Sequence, residues 1–572
     1  MASRAGKTWL TLGMLLGLSV ATEQVARACG GFFCSQVPID QSGEQIIFSV
    51  TPAHVTAYIQ ISYSGAAQDF AWVVPVAAKP DITLGSPRVF QVVGGVTQPQ
   101  FRLEWTGDGG SCTYPRFPTA GGVGGSTGAV DASSGVTVLA SQDVGPFMTV
   151  TLESHDSAEL VTWLNDNGFV QPAGALPLID HYVQLGMLFV ALRLKQDASA
   201  GEILPIVLDM ATADPCVPLI LTRIAAQPNM PVQVYVLGSA RAVPSNWFHV
   251  VPDLARINWL QFGANYRQVV TDAVNQAAGH GFVTEFAGAA ALLKDSIWKP
   301  GQYDTSLLRG ITDPAALVQA LLSGGYPRDG TMQALLRKWI PMPPAVAARG
   351  TPESAFYNNL AAYKADLDAA GFVLDTAGFV ADLNERVVMP LQRAQAMVDG
   401  QPYLTRLLST VSPDEMTRDP IFALNGDLPD VSNVHVAKAS GACQTDGTVK
   451  NLSLLLEDGQ TLSLTGVTTL YSNGPWPYAG GSAVRQIELV GPSGPPVTVL
   501  ASDVARLDTA LDSLPPKMVR DMAAQSSATT AAGGDTGCGC ALSPLEPASL
   551  ASLAAAAAAG LFLSARRRRQ RR

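Results

Sequence analysis

The sequence predicts an α+β fold: antiparallel β-rich N-terminal and C-terminal parts around a helical middle, with one apolar transmembrane helix at the C-terminal end. Three observations carry this. Runs of β-branched and aromatic residues at 45–76, such as HVTAYIQISY and DFAWVVPV, read as strands. The middle of the chain keeps apolar residues at helical spacing, with Phe356, Leu360, Tyr363 and Leu367 on one face. Strand-like alternation returns at 449–500, with Asp458-Gly459 as a hairpin turn.

Taken in order, QIIFSV, HVTAYIQISY and DFAWVVPV suggest a three-stranded antiparallel meander, with Gly65 in the second turn. Phe101 to Trp105 is a further strand, and the Gly/Ser-rich residues 107–135 are a surface excursion. Residues 155–168 form a short helix: Asp156 caps it, Glu159 follows three residues on, Leu160, Trp163 and Leu164 share a face, and Gly168 stops it. Strands are expected at 181–194, 203–209, 217–224 and 231–237, and helices near 284–297, 314–323, 354–370 and 379–397. Asp313-Pro314 reads as an N-cap followed by a first-turn proline. A last helix over 503–514 ends at Pro515-Pro516. No repeat of fixed period is evident.

The chain has 572 residues, 47% hydrophobic and only 15% charged, enough for two or three domains with sizeable cores. The expected organisation is a signal peptide over 1–28, a β-rich domain over 29–250, a mainly helical region over 251–425 and a β-rich region over 426–522. A linker with a cysteine motif over 523–540 and a membrane helix with an arginine tail over 541–572 complete it. Without the two ends, the body carries 28 basic and 45 acidic residues, a net of −17. That excess argues against binding nucleic acid or anionic lipid through a basic surface.

Both ends read as addresses. Arg4 and Lys7, an apolar run from Trp9 to Val20, and Ala26-Arg27-Ala28 form a signal peptide cleaved by signal peptidase after Ala28. Cleavage leaves Cys29 first. A lipoprotein signal also puts cysteine there, but Ala26 and Arg27 fit that pattern poorly. At the other end, a small-residue linker leads to Cys538-Gly539-Cys540, an apolar stretch from Ala548 to Ala565, and RRRRQRR. The stretch spans roughly 27 Å as a helix, and the arginines would remain cytoplasmic. The order resembles the myxobacterial C-terminal sorting signal (MYXO-CTERM). That resemblance implies cleavage near Cys538 and Cys540 by a sortase-like intramembrane protease and delivery to the cell surface; a plain C-terminal anchor is the alternative.

Five cysteines remain: Cys29, Cys34, Cys112, Cys216 and Cys443. Export favours disulfides, and an odd number leaves one cysteine free, lipidated or paired elsewhere. CGGFFC at 29–34 allows a local bridge with Gly30 and Gly31 in the turn. Metal binding there lacks a second cysteine pair or a nearby histidine.

No catalytic constellation is evident, and no cofactor is implied. GGSTG at 124–128 satisfies G-x-S-x-G around Ser126, but glycine-rich loop replaces the strand and helix that a nucleophile elbow requires. His54, His155, His181, His249, His280 and His435 are scattered. Asp414 and Glu415 fit a helix start capped by Ser412 better than an acid/base pair. Trp476 and Tyr478, in SNGPWPYAGG, sit on a loop, either as a ligand platform or as an anchor packed inward. Asn451 lies in a glycosylation sequon on a strand.

ACGGFFC, AYIQISYSG with DFAWVVPV, LVTWLNDNGF, PCVPLILTRIA and YLTRLLSTVSPDEMTRDPIF together resemble the bacterial domain-of-unknown-function family 2330, over roughly residues 29–440. The resemblance implies an exported protein and supplies no catalytic residue. The expectation is a non-enzymatic binding or structural module of the envelope. A secreted hydrolase with an unrecognised site and an envelope assembly factor stand as alternatives.

Overall fold

The computed structural model describes residues 40–512, apart from 65–70, 107–135, 170, 173, 196–202, 212–213, 445–447 and 470–473. The chain order begins β1 (Asp40–Val50), β2 (Val55–Ser64), β3 (Ala71–Val76), β4 (Asp81–Leu84), α1 (Pro87–Thr97), β5 (Gln100–Trp105), β6 (Thr137–Val144) and β7 (Phe147–Glu153). Next come α2 (Ser157–Asp166), α3 (Leu176–Gln184), β8 (Leu188–Leu194), β9 (Ile206–Met210), α4 (Leu219–Thr222), β10 (Met230–Gly238), β11 (Arg241–Pro244) and β12 (Phe248–Pro252). Then follow α5 (Tyr266–Gln276), β13 (Gly281–Ala289), α6 (Pro314–Ser323), α7 (Gly330–Trp339), α8 (Pro344–Ala347), α9 (Glu353–Asn358), α10 (Lys364–Ala369), α11 (Thr376–Leu383) and α12 (Met389–Asp399). The order closes with β14 (Tyr403–Val411), β15 (Phe422–Asn425), β16 (Val434–Cys443), β17 (Val449–Leu455), β18 (Thr461–Leu464), β19 (Val484–Leu489), β20 (Val497–Val499) and α13 (Val504–Asp512).

A mixed α+β architecture with extensive antiparallel sheet results. Its centre is a ten-stranded sheet in the order β20-β19-β12-β13-β14-β10-β1-β2-β9-β4. Strands from the N-terminal part, the middle and the C-terminal part therefore share one sheet. Three pairings are parallel: β1 with β10, β12 with β13, and β5 with β16. One face of the central sheet packs on the four-stranded sheet β3-β8-β7-β6: Ile46, Phe48, Val232, Val234 and Val236 meet Trp72, Val74, Val190 and Leu192. Leu160, Trp163 and Leu164 of α2 and Ile179, Tyr182 and Val183 of α3 cover the outside of that smaller sheet. On the other face of the central sheet, Ile47, Tyr58, Leu237 and Leu404 lie under α1 and the helices of the middle region. A second four-stranded sheet, β18-β17-β16-β5, has its own core around Trp259 and Leu452.

Several expected elements form for the reasons read from the sequence. Asp156 accepts from the backbone N–H groups of Ala158 and Glu159, and Asp313 accepts from Ala316 N–H ahead of α6. The helix expected at 379–397 forms as α11 and α12, joined by a π-helical turn over Asn384–Val388.

Other expectations are corrected. β3 does not complete a meander; it pairs with β8 in the second sheet, while β1 finds its other neighbour in β10. Residues 181–184 are helix rather than strand: Ile179, Tyr182 and Val183 are buried at helical spacing, and Pro177 opens α3. Residues 219–222 form the one-turn helix α4, all four buried, where an apolar run alone does not separate strand from helix. The helix expected at 284–297 is strand β13 followed by a 3-10 turn over Ala290–Leu293. Pairing with β14, Val283 opposite Leu408 and Gly288 opposite Leu404, overrides the helix propensity of its alanines. Ser412 to Glu415 make one capped turn and no helix, with Glu415 accepting from Ser412 N–H. Helices α1, α5, α7 and the one-turn α8 were not anticipated. Ser86 and Pro87 start α1, and its Val89, Phe90 and Val93 reach the core.

The signal segment 1–28, Cys29, Cys34, Cys112, Ser126, Cys538, Cys540 and the apolar stretch 548–565 lie outside the described residues. Among the described residues, no helix is long and apolar enough to cross a membrane.

Candidate functional site

The helix-facing side of the central sheet changes character along its strands. Toward α12 it is apolar. Beyond Tyr235 it becomes polar, and there the helical layer leaves it open as a cleft of about 1440 Å³. Gln45 of β1, Gln60 of β2, Gln233 of β10, Glu285 of β13 and Arg406 of β14 line its floor. Gln91, Gly94 and Gly95 of α1, with Gln98, line one wall, and Phe101 and the 262–267 segment line the other.

The floor is built around a buried ion pair. Arg406 Nε donates to Glu285 Oε2 at 2.5 Å, with both side chains almost wholly out of solvent. Its Nη1 donates to Gly94 O at 3.0 Å and Thr97 Oγ1 at 3.3 Å, and its Nη2 to Gln233 Oε1 at 3.0 Å. Gln233 Nε2 in turn donates to Leu407 O at 2.7 Å. The guanidinium also lies over the Tyr235 ring, 5.5 Å from its centroid. Burial, the largest single influence, would pull the Arg406 pKa down; Glu285, Tyr235 and Tyr266 together outweigh it, and the net shift is upward. Burial pushes Tyr235 up to about 12, and burial with the nearby Glu285 charge holds Tyr266 well above the usual phenol range. These phenols stay neutral donors at physiological pH. Arg406 thus bolts the C-terminal half of α1 to the sheet and fixes the cleft wall.

The opposite wall is aromatic. Phe101 meets Trp259 edge-on at 5.4 Å, Tyr266 at 5.3 Å and His435 in a stack at 5.0 Å. Gly263 permits this closure: its φ is +75°, and a Cβ there would sit 2.2 Å from the Phe101 ring. Phe262 before it adopts the left-handed conformation, φ 52°, with half its surface exposed at the cleft rim. Side chains of Gln45, Gln60, Gln91 and Gln98 make no hydrogen bond within the described residues and face the cleft.

Two further clusters carry chemistry-bearing groups. His249 Nδ1 lies 2.8 Å from Glu488 Oε2 and its Nε2 3.0 Å from Thr284 Oγ1, a hydroxyl–imidazole–carboxylate relay. Thr284, His249 and Glu488 are each less than a tenth exposed, and none lines the cleft. Arg241 Nη2 also donates to Thr284 Oγ1 at 3.3 Å. Buried in this way, the relay ties β11, β12, β13 and β19 together. The second cluster joins Asp419, Tyr182 and Cys216. Tyr182 Oη donates to Asp419 Oδ2 at 2.8 Å, and Ile220 N–H donates to Oδ1 at 2.9 Å. Burial pushes the Asp419 pKa up to about 7. Cys216, a disulfide candidate by sequence, is a free thiol. Burial and the carboxylates of Asp419 and Asp214 raise its pKa well above the usual thiol range, which makes it a poor nucleophile. Cys443, at the end of β16, is disulfide-bonded.

The remaining candidates from sequence disperse. His54 and His155 are exposed, and His181 sits edge-on to Tyr182. His280 faces Asp508 at 2.9 Å and Glu415 O at 2.7 Å, and helps hold α13. Trp476 is an inward anchor, its Nε1 donating to Ala255 O at 2.8 Å, and Tyr478 Oη is bound to the Ser463 backbone. Among the described residues, no group of three or more His, Cys, Asp or Glu side chains could hold a metal ion. The cleft itself was missed. Its one sequence signal was the lone charge in each of two apolar strands, Arg406 in YLTRLLSTV and Glu285 in GFVTEFAGA, since an isolated buried charge demands a partner.

Fold and site together define an α+β protein with a large polar cleft on one face of its central sheet. The chain belongs to a family described as an uncharacterized protein conserved in bacteria (DUF2330), whose model matches residues 24–340, more than half of the chain. The matched interval holds four of the five segments that suggested the family and ends before YLTRLLSTVSPDEMTRDPIF. No curated protein and no solved structure matches the chain.

Proposed function

We propose that this is an exported envelope protein with a non-enzymatic binding body, and that the cleft over the polar half of the central sheet is its ligand site. One observation carries the reading: four glutamine side chains without partners among the described residues face a large cleft whose floor and walls are rigidly held. Preorganised polar groups of this kind favour binding because little ordering remains to be done. The signal-like N-terminus, the sorting-like C-terminus and the disulfide at Cys443 favour an oxidising, exported setting. The hydrolase alternative draws little support from the Thr284–His249–Glu488 relay, which is buried and does not line the cleft.

The test is thermal unfolding of the protein purified from its host, with and without a dialysed extract of the host envelope. A ligand held at a hundredfold excess over Kd stabilises the native state by about 2.7 kcal/mol. The control is Gly95→Trp. Gly95 lies on α1, and a Cβ added there meets nothing within 4 Å, so the indole should fill the cleft without disturbing the fold. The reading expects a rise in Tm for the native chain and none for Gly95→Trp. No rise with any extract, or an equal rise in both, would overturn it. Mass spectrometry of the surface protein checks the addresses: it should begin at Cys29 and lack residues 566–572.

A further inference from the structure

Resting on that reading, we infer that the cleft takes an uncharged, hydroxyl-rich chain: an oligosaccharide segment several sugar units long. Charge is the first argument. The lining holds two acidic residues, Glu44 and Glu285, and two basic ones, Arg267 and Arg406, and the Arg406 charge is already committed to Glu285. No single-sign field remains to recruit a phosphate, a carboxylate-rich polymer or a cationic ligand. The second argument is hydrogen-bond chemistry. Each side-chain amide of Gln45, Gln60, Gln91 and Gln98 presents two N–H donors and a carbonyl acceptor. A hydroxyl is also both donor and acceptor, so a row of amides matches a row of hydroxyls whatever their orientation. Phe262, half-exposed at the rim, supplies a ring as the complement, while Phe101, buried among three other rings, backs that wall. Flat aromatic faces pack on the C–H faces of pyranose rings.

Topology argues against an extended peptide. The central floor strands β14, β10 and β1 are paired along both sides, so none of them can accept an added strand. An amphipathic helix would need an apolar groove, and this floor is polar. Size sets the length: about 1440 Å³ exceeds the roughly 300–1,000 Å³ usual for small-molecule sites, which favours several linked units over a monosaccharide.

The experiment divides the envelope extract. One portion is digested with proteinase K; another is oxidised with periodate, which cleaves vicinal diols, then reduced and dialysed. The Tm rise should survive proteinase K, disappear after periodate and persist in high salt. Gln91→Ala with Gln98→Ala, both exposed positions, should leave the unliganded Tm unchanged and weaken half-maximal binding about tenfold. A rise that is lost to proteinase K, survives periodate, collapses in salt or ignores the double variant overturns the oligosaccharide while leaving a binding cleft. Absence of any rise with untreated extract overturns both.

Discussion

One face of the central sheet contains two regions built on the same strands but for opposite ends. In the first, Ile47, Tyr58, Leu237 and Leu404 are buried under α1 and the helical middle. In the second, Gln45, Gln60, Gln233 and Arg406 continue the same side of β1, β2, β10 and β14 into the open cleft. A strand sends every second residue to one face, so the change needs only a change of residue type two positions further along. Ile47 gives way to Gln45, Leu237 to Tyr235 and Gln233, and Leu404 to Arg406. The apolar half is stabilised by burial against helices. The polar half is stabilised by mutual hydrogen bonding, which leaves its remaining amides available. The contrast shows how a fold can stop covering its own sheet without leaving a sticky surface.

The comparison breaks most severely at Arg406. Arg406→Met leaves Glu285 buried without its partner and frees α1 at Gly94 and Thr97. We expect a loss of about 3–5 kcal/mol in urea unfolding. Adding Glu285→Leu should recover most of that loss, because the penalty is the orphaned charge. If the single variant unfolds no more easily than the double, the ion pair is not what holds the polar half.

On the opposite side of the sheet lies a carboxylate with no cation beside it among the described residues. Asp419 is raised from 3.8 to about 7 by burial. Its folded pKa exceeds its unfolded one, so its contribution is fully present below about pH 4 and is lost as pH rises through 7. A shift of this size corresponds to at most on the order of 4 kcal/mol. Asp419→Asn should remove this slope: native-minus-variant stability should fall between pH 4 and pH 8. A difference that stays flat across that window would show that Asp419 is ionised throughout.

In the apolar half, Leu404→Ala should cost about 3 kcal/mol through lost burial and a residual cavity. It should leave ligand-induced stabilisation intact, since Leu404 does not line the cleft. Equal damage to binding would mean that the two halves are not separable.

The helix caps at Asp156 and Asp313, the strands β1, β2 and β10, and the broken helical run to Asp399 were legible because their signals are local. What stayed hidden was non-local. β13 looked helical because GAAALL favours helix, and only its pairing with β14, more than a hundred residues later, makes it strand. Arg406 and Glu285 are 121 residues apart, and the cleft glutamines run from 45 to 233 without a period. No window on the sequence could gather them. The departure of β3 into a second sheet was equally invisible, since VVPV pairs as well with β8 as it would with β2.

The smallest effect is the most discriminating. Gly94 and Gly95 are adjacent in α1, where alanine would be a better helix former by about 1 kcal/mol. Neither has a positive φ, so the backbone does not require glycine. Their surroundings differ. A Cβ on Gly95 meets nothing within 4 Å, whereas one on Gly94 lies 3.2 Å from Tyr235 Oη, on the side where Arg406 holds the helix. Gly95→Ala should therefore stabilise the protein by about 0.5–1 kcal/mol. Gly94→Ala should gain little or lose stability, because Tyr235 is packed under the guanidinium and cannot withdraw easily. Paired urea titrations give the order directly. If both substitutions stabilise equally, α1 is not seated as closely on the polar floor as the Arg406 contacts require. If Gly95→Ala stabilises the fold yet weakens binding of the envelope ligand, the glycine is there for the open space in front of it, and the polar half of the sheet is kept uncovered for a ligand.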